Sequence, residues 1–261
     1  MTKALHNNIA DIQKAFGEQA AKFNAAGYHV SKAEYSNYLV KRTEPQKTDN
    51  LLEVAAGTCI CGRAFAPHVA HVTCLDTTTA MLEVGKQESK KAGIENITFV
   101  KGMAEELPFL NDSFDIVISR LAFHHFVNPK EIFAEMKRVL KPGGKLVLMD
   151  MTVEKEEFHE EVDRIERIRD FSHVRELSKE EMFQLYKENG MTVSVQEQID
   201  VPVELESWMD LTHTSQEKRE EITALMEDDL AGKTVTGFAP YRKDERIYFN
   251  HHWVFNLGQN E

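Results

Sequence analysis

An apolar run enters a turn of small residues at Leu51-Leu-Glu-Val-Ala-Ala-Gly-Thr-Cys-Ile-Cys-Gly62, and a second apolar run ends in an acid at His71-Val-Thr-Cys-Leu-Asp76. The residues between the two runs have a helical pattern. This order predicts a β-α-β unit that opens a parallel sheet. Such a turn lets backbone N–H groups approach a ligand, and an acid at the tip of the second strand can accept hydrogen bonds from ribose hydroxyls.

The alternation of strands and helices continues along the chain. Strands are predicted over 50–54, 71–75, 97–101, 114–119, 145–151, 192–199 and 246–255, and helices over 79–91 and 129–140. Each strand is a short, mostly apolar run, which is typical of a sheet covered on both faces. The pattern therefore predicts a doubly wound α/β fold with a mostly parallel, seven-stranded sheet.

The flanking segments predict helical additions to this sheet. Residues 9–23 have apolar side chains at helical spacing, as expected of a helix that either packs on the sheet or covers a ligand. The charged segment 154–170 predicts a long helix with a solvated face, and 178–181 and 214–217 have the pattern of capping boxes. We expect an N-terminal lid over 1–44, a ligand-binding core over 45–151, and a C-terminal part over 152–261 that completes the sheet.

Composition narrows the classes of function. A formal net charge of −12 over 261 residues disfavours nucleic acid or an anionic membrane surface as partner. No run approaches the length of a membrane span, and the N-terminus lacks the apolar core of a signal peptide. Three cysteines fit reduced thiols better than a disulfide framework, so we expect a cytoplasmic protein.

Five motifs resemble those of the class I S-adenosylmethionine-dependent methyltransferases in order and spacing. They are Glu53-Val-Ala-Ala-Gly57, Asp76, Gly102-Met-Ala-Glu-Glu-Leu-Pro-Phe109, Asp112-Ser-Phe-Asp-Ile-Val117 and Leu140-Lys-Pro-Gly-Gly144. The resemblance is close over residues 45–151 and looser in the flanks. It implies a Rossmann-like methyltransferase fold, with S-adenosylmethionine as cofactor and S-adenosylhomocysteine as product.

The resemblance also implies which residues bind the cofactor. Glu53 would accept hydrogen bonds from the ammonium group, and Asp76 would hold both ribose hydroxyls, since a carboxylate has two acceptor oxygens. The complete set of cofactor-binding candidates is Glu53, Ala55, Gly57, Asp76, Thr77, Met81, Met103, Ala104 and Arg120.

Three positions depart from the family pattern. Ala55 and Cys59 occupy positions that are usually glycine, and Met103 stands where an acid normally accepts from the adenine amino group. Losing one such hydrogen bond costs on the order of 1 kcal/mol. We therefore expect a weaker cofactor site rather than a lost one.

Residues after the fourth strand are candidates for the acceptor side. His124 and His125 lie in a segment that faces the transferable methyl group in this family, and the His-His pair is similar to that of the quinone-biosynthesis branch. Either histidine has a pKa suited to a general base, or both are packing residues. Further candidates for acceptor recognition are Phe16, Phe23, Tyr28, His173, Arg175, Trp208 and Tyr241, with Arg120 and Arg175 able to hold an anion.

The predicted function is methyl transfer to a small molecule, possible acceptors including a quinone-like or aromatic compound, with no metal. Two alternatives stay open. Gly57, Gly62 and Asp76 partly mimic the fingerprint of a nicotinamide-dependent oxidoreductase. The three departures are also what a non-catalytic module with a degenerate S-adenosylmethionine pocket would show.

Residues Cys59, Cys61, His68 and His71 superficially have zinc-ligand spacing. They straddle a turn, a helix and a strand start, so their side chains are expected to point apart.

Overall fold

The computed structural model describes residues 3–20, 22–23 and 28–261, so residues 1, 2, 21 and 24–27 of the predicted lid lie outside the described residues. Its strands are β1 (Asn50–Val54), β2 (His71–Asp76), β3 (Ile97–Lys101), β4 (Phe114–Arg120), β5 (Leu140–Thr152), β6 (Met191–Glu204), β7 (Tyr241–Lys243) and β8 (Arg246–Asn260). They form one sheet in the order β3-β2-β1-β4-β5-β8-β6, with β7 paired to β8. Strands β1 to β5 are parallel, and β8 runs antiparallel between β5 and β6. The predicted doubly wound α/β fold is confirmed, and the short strand β7 is added to the seven predicted.

Alternate residues of the strands enter two different cores. Leu51 and Val147 belong to one buried cluster, and their neighbours Leu52 and Leu148 belong to the other. Successive side chains of a strand point to opposite faces, so a strand buried on both faces needs an unbroken apolar run. The apolar runs of the sequence therefore build a sheet covered on both sides.

Helices cover both faces. They are α1 (Lys3–Gln19), α2 (Ala33–Thr43), α3 (Ile60–Phe65), α4 (Thr79–Lys91), α5 (Pro129–Val139), α6 (His159–Arg169), α7 (Lys179–Glu188), α8 (Leu205–Leu211) and α9 (Gln216–Leu230), with 3-10 turns at His29–Ser31, Ala66–His68, Phe123–His125 and Glu156–Phe158. Within the described part of the chain, none of these helices has the length and apolarity of a membrane span.

The prediction for residues 154–170 is wrong in two respects. The helix begins only at His159, after a 3-10 turn, and two of its charged side chains are buried. Asp163 accepts a hydrogen bond from His173 Nε2 at 2.7 Å, and Glu166 accepts one from Arg169 Nε at 3.0 Å. Buried charges are tolerated where they are paired, and here the partners lie on the same helix and in the loop after it.

The two predicted capping boxes have different outcomes. Ser178 Oγ accepts from the Glu181 N–H, and the Glu181 carboxylate accepts from the Ser178 N–H, so the first box is confirmed. The second is wrong, because helix α9 begins after Ser215 without a side-chain cap. The Thr214 hydroxyl is 2.8 Å from that of Thr212 instead.

The strand order places one crevice at the centre of the sheet. From β1 the chain adds β2 and β3 on one side, and then returns to add β4 and β5 on the other. In open α/β sheets, ligands bind beyond the carboxyl ends of the strands at such a reversal. The turns after β1 and β4 flank this point.

Candidate active site

A cavity with about 940 Å³ of empty space, part of it open to solvent, lies at the carboxyl ends of β1, β2 and β4. It is called the first cavity below. All the predicted cofactor-binding residues line it, namely Glu53, Ala55, Gly57, Asp76, Thr77, Met81, Met103, Ala104 and Arg120. The fold thus brings together residues that are up to 67 positions apart in the sequence.

The turn after β1 has an unusual backbone. Ala55, Gly57 and Cys59 have φ angles of 53°, 52° and 58°. These angles lie in the left-handed region, which residues other than glycine rarely adopt. Local backbone strain therefore accompanies Ala55 and Cys59, the two positions at which the sequence departs from the family's glycines.

Glu53 is a buried acid on the wall of the first cavity. Its Oε2 accepts from the Gly62 N–H at 2.7 Å and lies 3.5 Å from the Cys74 thiol. Burial raises the pKa of Glu53 to about 7, because these hydrogen bonds and the more distant charge of Arg120 offset only part of the desolvation.

Asp76 connects the turn after β1 with the turn after β2 through hydrogen bonds. Its Oδ2 accepts from the Gly57 N–H and its Oδ1 from the Thr78 N–H, both at 2.7 Å. Burial raises the pKa of Asp76 despite these bonds. Each carboxylate oxygen of Asp76 thus accepts one backbone hydrogen bond, and a carboxylate has about four acceptor sites in all.

A third acid, which the sequence analysis did not select, also reaches the cavity. Glu105 lies on its wall two residues after Met103, and burial raises the pKa of Glu105. Glu105 is part of the motif Gly102-Met-Ala-Glu-Glu, but the resemblance to the family indicated only position 103 as the place of an acid. The cavity therefore has a carboxylate near the place where Met103 removes one.

Helix α1 forms one wall of the first cavity. Ile9, Ile12 and Phe16 line it, and Gln13 Nε2 donates to the Thr77 hydroxyl at 2.8 Å. This hydrogen bond ties the helix to the loop beyond β2. The apolar stripe found in the sequence thus faces the cavity.

His124 is held by a buried acid that the sequence analysis also missed. Its Nδ1 lies 2.6 Å from Asp150 Oδ1, while Asp150 Oδ2 accepts from the backbone N–H groups of Ala122 and Phe123. Burial opposes ionisation of both groups, but their mutual attraction raises the pKa of His124 and lowers that of Asp150. His124 does not line the first cavity.

His125 does line the first cavity. Its Nδ1 is 3.0 Å from the carbonyl oxygen of Ser172, which can only accept, so Nδ1 carries the proton. Burial, helped by the neighbouring His124, lowers the pKa of His125. The ring is therefore neutral, with its lone pair on Nε2.

Arg120 lies between the cavity and the second half of the sheet. Its Nη2 donates to the Val30 carbonyl at 3.0 Å, and its guanidinium lies 5.0 Å from the ring centroid of Trp253. These two contacts with the protein set the orientation of the Arg120 side chain. The group is a fixed part of the wall between β4 and the His29–Ser31 turn.

The remaining acceptor candidates divide sharply. Phe16 and Phe23 line the first cavity, whereas Tyr28, His173, Arg175, Trp208 and Tyr241 do not. Arg175 pairs with Glu181 at 2.7 Å in an exposed ion pair, so the expectation that it holds an anionic acceptor is wrong. Trp208 is fully buried in the core.

Comparisons with known proteins decide the family. Residues 52–148 match the family model described as a methyltransferase domain. The uncharacterized methyltransferase YcgJ of Bacillus subtilis (strain 168) is 32% identical over 70% of this chain and 73% of its own length. The chain belongs to the class I S-adenosylmethionine-dependent methyltransferases. The crystal structure of YcgJ superposes on this methyltransferase with a TM-score of 0.80 at 29% identity, covering 87% of this chain and 99% of YcgJ.

A second group of relatives aligns with a smaller part of this chain. The demethylmenaquinone methyltransferase of Clavibacter sepedonicus is 32% identical over 58% of this chain and 62% of its own length. The corresponding enzyme of Listeria welshimeri is 37% identical over 58% of this chain and 65% of its own length. This methyltransferase therefore spans less than two thirds of each of these two proteins. S-adenosylmethionine is the cofactor of the family.

Proposed function

We propose that this methyltransferase transfers the methyl group of S-adenosylmethionine to a small aromatic or quinone-like acceptor. The observation that carries the proposal is the pairing of acids with an otherwise mostly apolar cavity. Glu53 and Asp76 take part in no ion pair among the described residues, although both are buried. Buried acids without an internal cation are suited to a ligand that supplies the missing donors.

The donor set fits S-adenosylmethionine. Glu53 would bind the ammonium group, and Asp76 would accept from the two ribose hydroxyls. Met81, Met103 and Ala104 would pack against adenine, with the carboxylate of Glu105 within the same wall. When bound, the cofactor supplies an electrophilic methyl group on a positively charged sulfur.

The protein's own contribution is alignment and exclusion of water. Phe16 and Phe23 would cover the acceptor, and α1 would close over the cavity as a lid. His125 would face the acceptor as a neutral group with a lone pair on Nε2. Because its pKa is lowered, it is a weak base, which suits an acceptor that needs little help in losing a proton.

The relatives support the acceptor class only in outline. Demethylmenaquinone methyltransferases are 32% and 37% identical over 58% of this chain. From these relatives we propose that the methyl acceptor has a quinone-like or aromatic ring, and we do not name a particular quinone. We also keep two predictions from composition, that the acceptor is not nucleic acid and that the enzyme acts in the cytoplasm.

The first test is binding of S-adenosylmethionine and S-adenosylhomocysteine by calorimetry, with NADH titrated in parallel. We expect micromolar affinity for the two sulfur compounds and no binding of NADH. The loaded enzyme is then screened against hydroxylated naphthalenes and benzoquinols, with release of S-adenosylhomocysteine as the readout. Cofactor binding without turnover on any of these acceptors would contradict the proposed acceptor class, and tight NADH binding would contradict the proposed cofactor roles.

A further inference from the structure

A second, smaller cavity adjoins the first and has different chemistry. It has about 430 Å³ of empty space and shares five wall residues with the first cavity. The shared residues are Phe16, Phe23, Val30, Leu121 and His125. A molecule that enters the first cavity beside the cofactor site therefore has this second cavity directly behind it.

The second cavity contains buried polar atoms without partners. His251 is 6% exposed and lies on its wall, yet neither ring nitrogen has a hydrogen-bond partner among the described residues. Its Nε2 is 3.4 Å from Glu166 Oε1, longer than an ordinary hydrogen bond, and that oxygen also has no hydrogen-bond partner among the described residues. Such groups cost free energy when buried alone, so they indicate a ligand or water.

The charges around His251 disfavour an anionic ligand. Arg169, a cation on this wall, is already neutralised by Glu166 at 2.9 Å and lies 4.6 Å from the Trp208 ring centroid. Asp170 adds a carboxylate to the wall. Burial lowers the pKa of His251 and, to a larger extent, that of His29, so neither ring supplies a positive charge at neutral pH.

The wall also contains Gln19, Thr212, His125 and His124, and the last of these is paired with Asp150 at 2.6 Å. The other wall residues are apolar. Val30, Leu121, Met151 and Leu211 line the cavity together with the shared phenylalanines. A neutral imidazole has one donor and one acceptor nitrogen. The wall therefore suits an apolar ring that carries an uncharged hydroxyl or carbonyl oxygen.

We infer that the second cavity receives the polar oxygen of the methyl acceptor and that His251 is the residue that selects an uncharged hydroxyl or carbonyl over a carboxylate or phosphate. This inference rests on the proposed function. It adds the polar group of the acceptor and the residue that recognises it. The neighbouring His252 provides a matched control, because it pairs with the exposed Asp200 on the other face of β8.

The test is calorimetry with 1-naphthol and 1-naphthoate on enzyme saturated with S-adenosylhomocysteine. We expect 1-naphthol to bind at least about tenfold more tightly than 1-naphthoate, the equivalent of about 1.4 kcal/mol. H251F should lose about tenfold in affinity for 1-naphthol, and H251Q, whose amide keeps a donor and an acceptor, should keep most of it. H252F should bind as the wild type does.

The outcomes separate this inference from the proposed function. If S-adenosylhomocysteine does not bind, the proposed function fails. If it binds but 1-naphthoate equals 1-naphthol, or neither binds, or H251F leaves 1-naphthol affinity unchanged, only the second-cavity inference is overturned, and water alone satisfies His251. Thermal unfolding of H251F and H251Q tests whether each variant is folded. If H251F is not folded, H251Q and the comparison of 1-naphthol with 1-naphthoate still decide.

Discussion

The acids around the two cavities differ in where their partners come from. In the first cavity, burial raises the pKa of Glu53 to about 7 and also raises that of Asp76. Behind the second cavity, burial acts in the same direction, but His124 lowers the pKa of Asp150 and Arg169 lowers that of Glu166. Among the described residues, neither acid of the first pair takes part in an ion pair, whereas Asp150 pairs with His124 and Glu166 pairs with Arg169.

This difference separates ligand binding from scaffolding. Burying an acid without an ion-pair partner costs free energy, and a bound ammonium or hydroxyl group can offset that cost. For a buried acid beside a histidine or arginine, the ion pair already offsets the cost of burial. Removing the acid leaves its partner buried and unpaired. The same residue type thus belongs to the proposed cofactor site on one side of Phe16 and stabilises the fold on the other.

The largest effect expected from this contrast is on stability. Asp150→Ala should lower the free energy of unfolding by about 3–5 kcal/mol, because it leaves His124 and three backbone N–H groups without their acceptor. Urea denaturation measures the change. Asp200→Ala, which removes an exposed partner of His252, should cost less than about 1 kcal/mol. Equal losses in the two variants would contradict the scaffolding role of Asp150.

The next effect is on cofactor affinity. Asp76→Ala should weaken binding of S-adenosylhomocysteine about a hundredfold, because two ribose hydroxyls lose a charged acceptor. Calorimetry gives the ratio, and Asp200→Ala again provides the control. The loss of stability in Asp76→Ala should be smaller than in Asp150→Ala, since no internal cation is stranded. Wild-type affinity in Asp76→Ala would rule out its contact with ribose.

The sequence predicted the parallel half of the fold closely. Strands β1 and β3 and helix α4 have the predicted bounds, because apolar runs and helical periodicity are local signals. Glu53 and Asp76 were found for a related reason, since an acid at a strand's carboxyl end reaches the crevice of a doubly wound sheet.

The second cavity could not be found in this way. Glu166 and His251 lie 85 positions apart, and only the antiparallel packing of β8 beside β5 brings them together. Periodicity along α6 shows which residues are charged but not which charges are paired in the interior. The same limit explains why Asp150, at the end of a buried strand, was not linked to His124.

The smallest effect expected is at the adenine end. Met103→Asp should leave affinity for S-adenosylhomocysteine unchanged or strengthen it by about threefold, because it restores a hydrogen-bond acceptor beside Ala104. Calorimetry under the conditions used for Asp76→Ala is sufficient. A loss of tenfold or more, beyond about 1.4 kcal/mol, would show that adenine lies elsewhere in the cavity.

Proton release on cofactor binding tests the contrast between the two cavities most directly. With a pKa of about 7, Glu53 is largely protonated at about pH 6, and a bound ammonium group favours its ionised form. Titration of S-adenosylmethionine at about pH 6 in buffers of different ionisation enthalpy should therefore show release of close to one proton. Glu53→Gln should abolish most of that release, whereas Glu166→Gln should not. Absence of proton release in the wild type, or equal release in Glu53→Gln, would contradict the account of the first cavity.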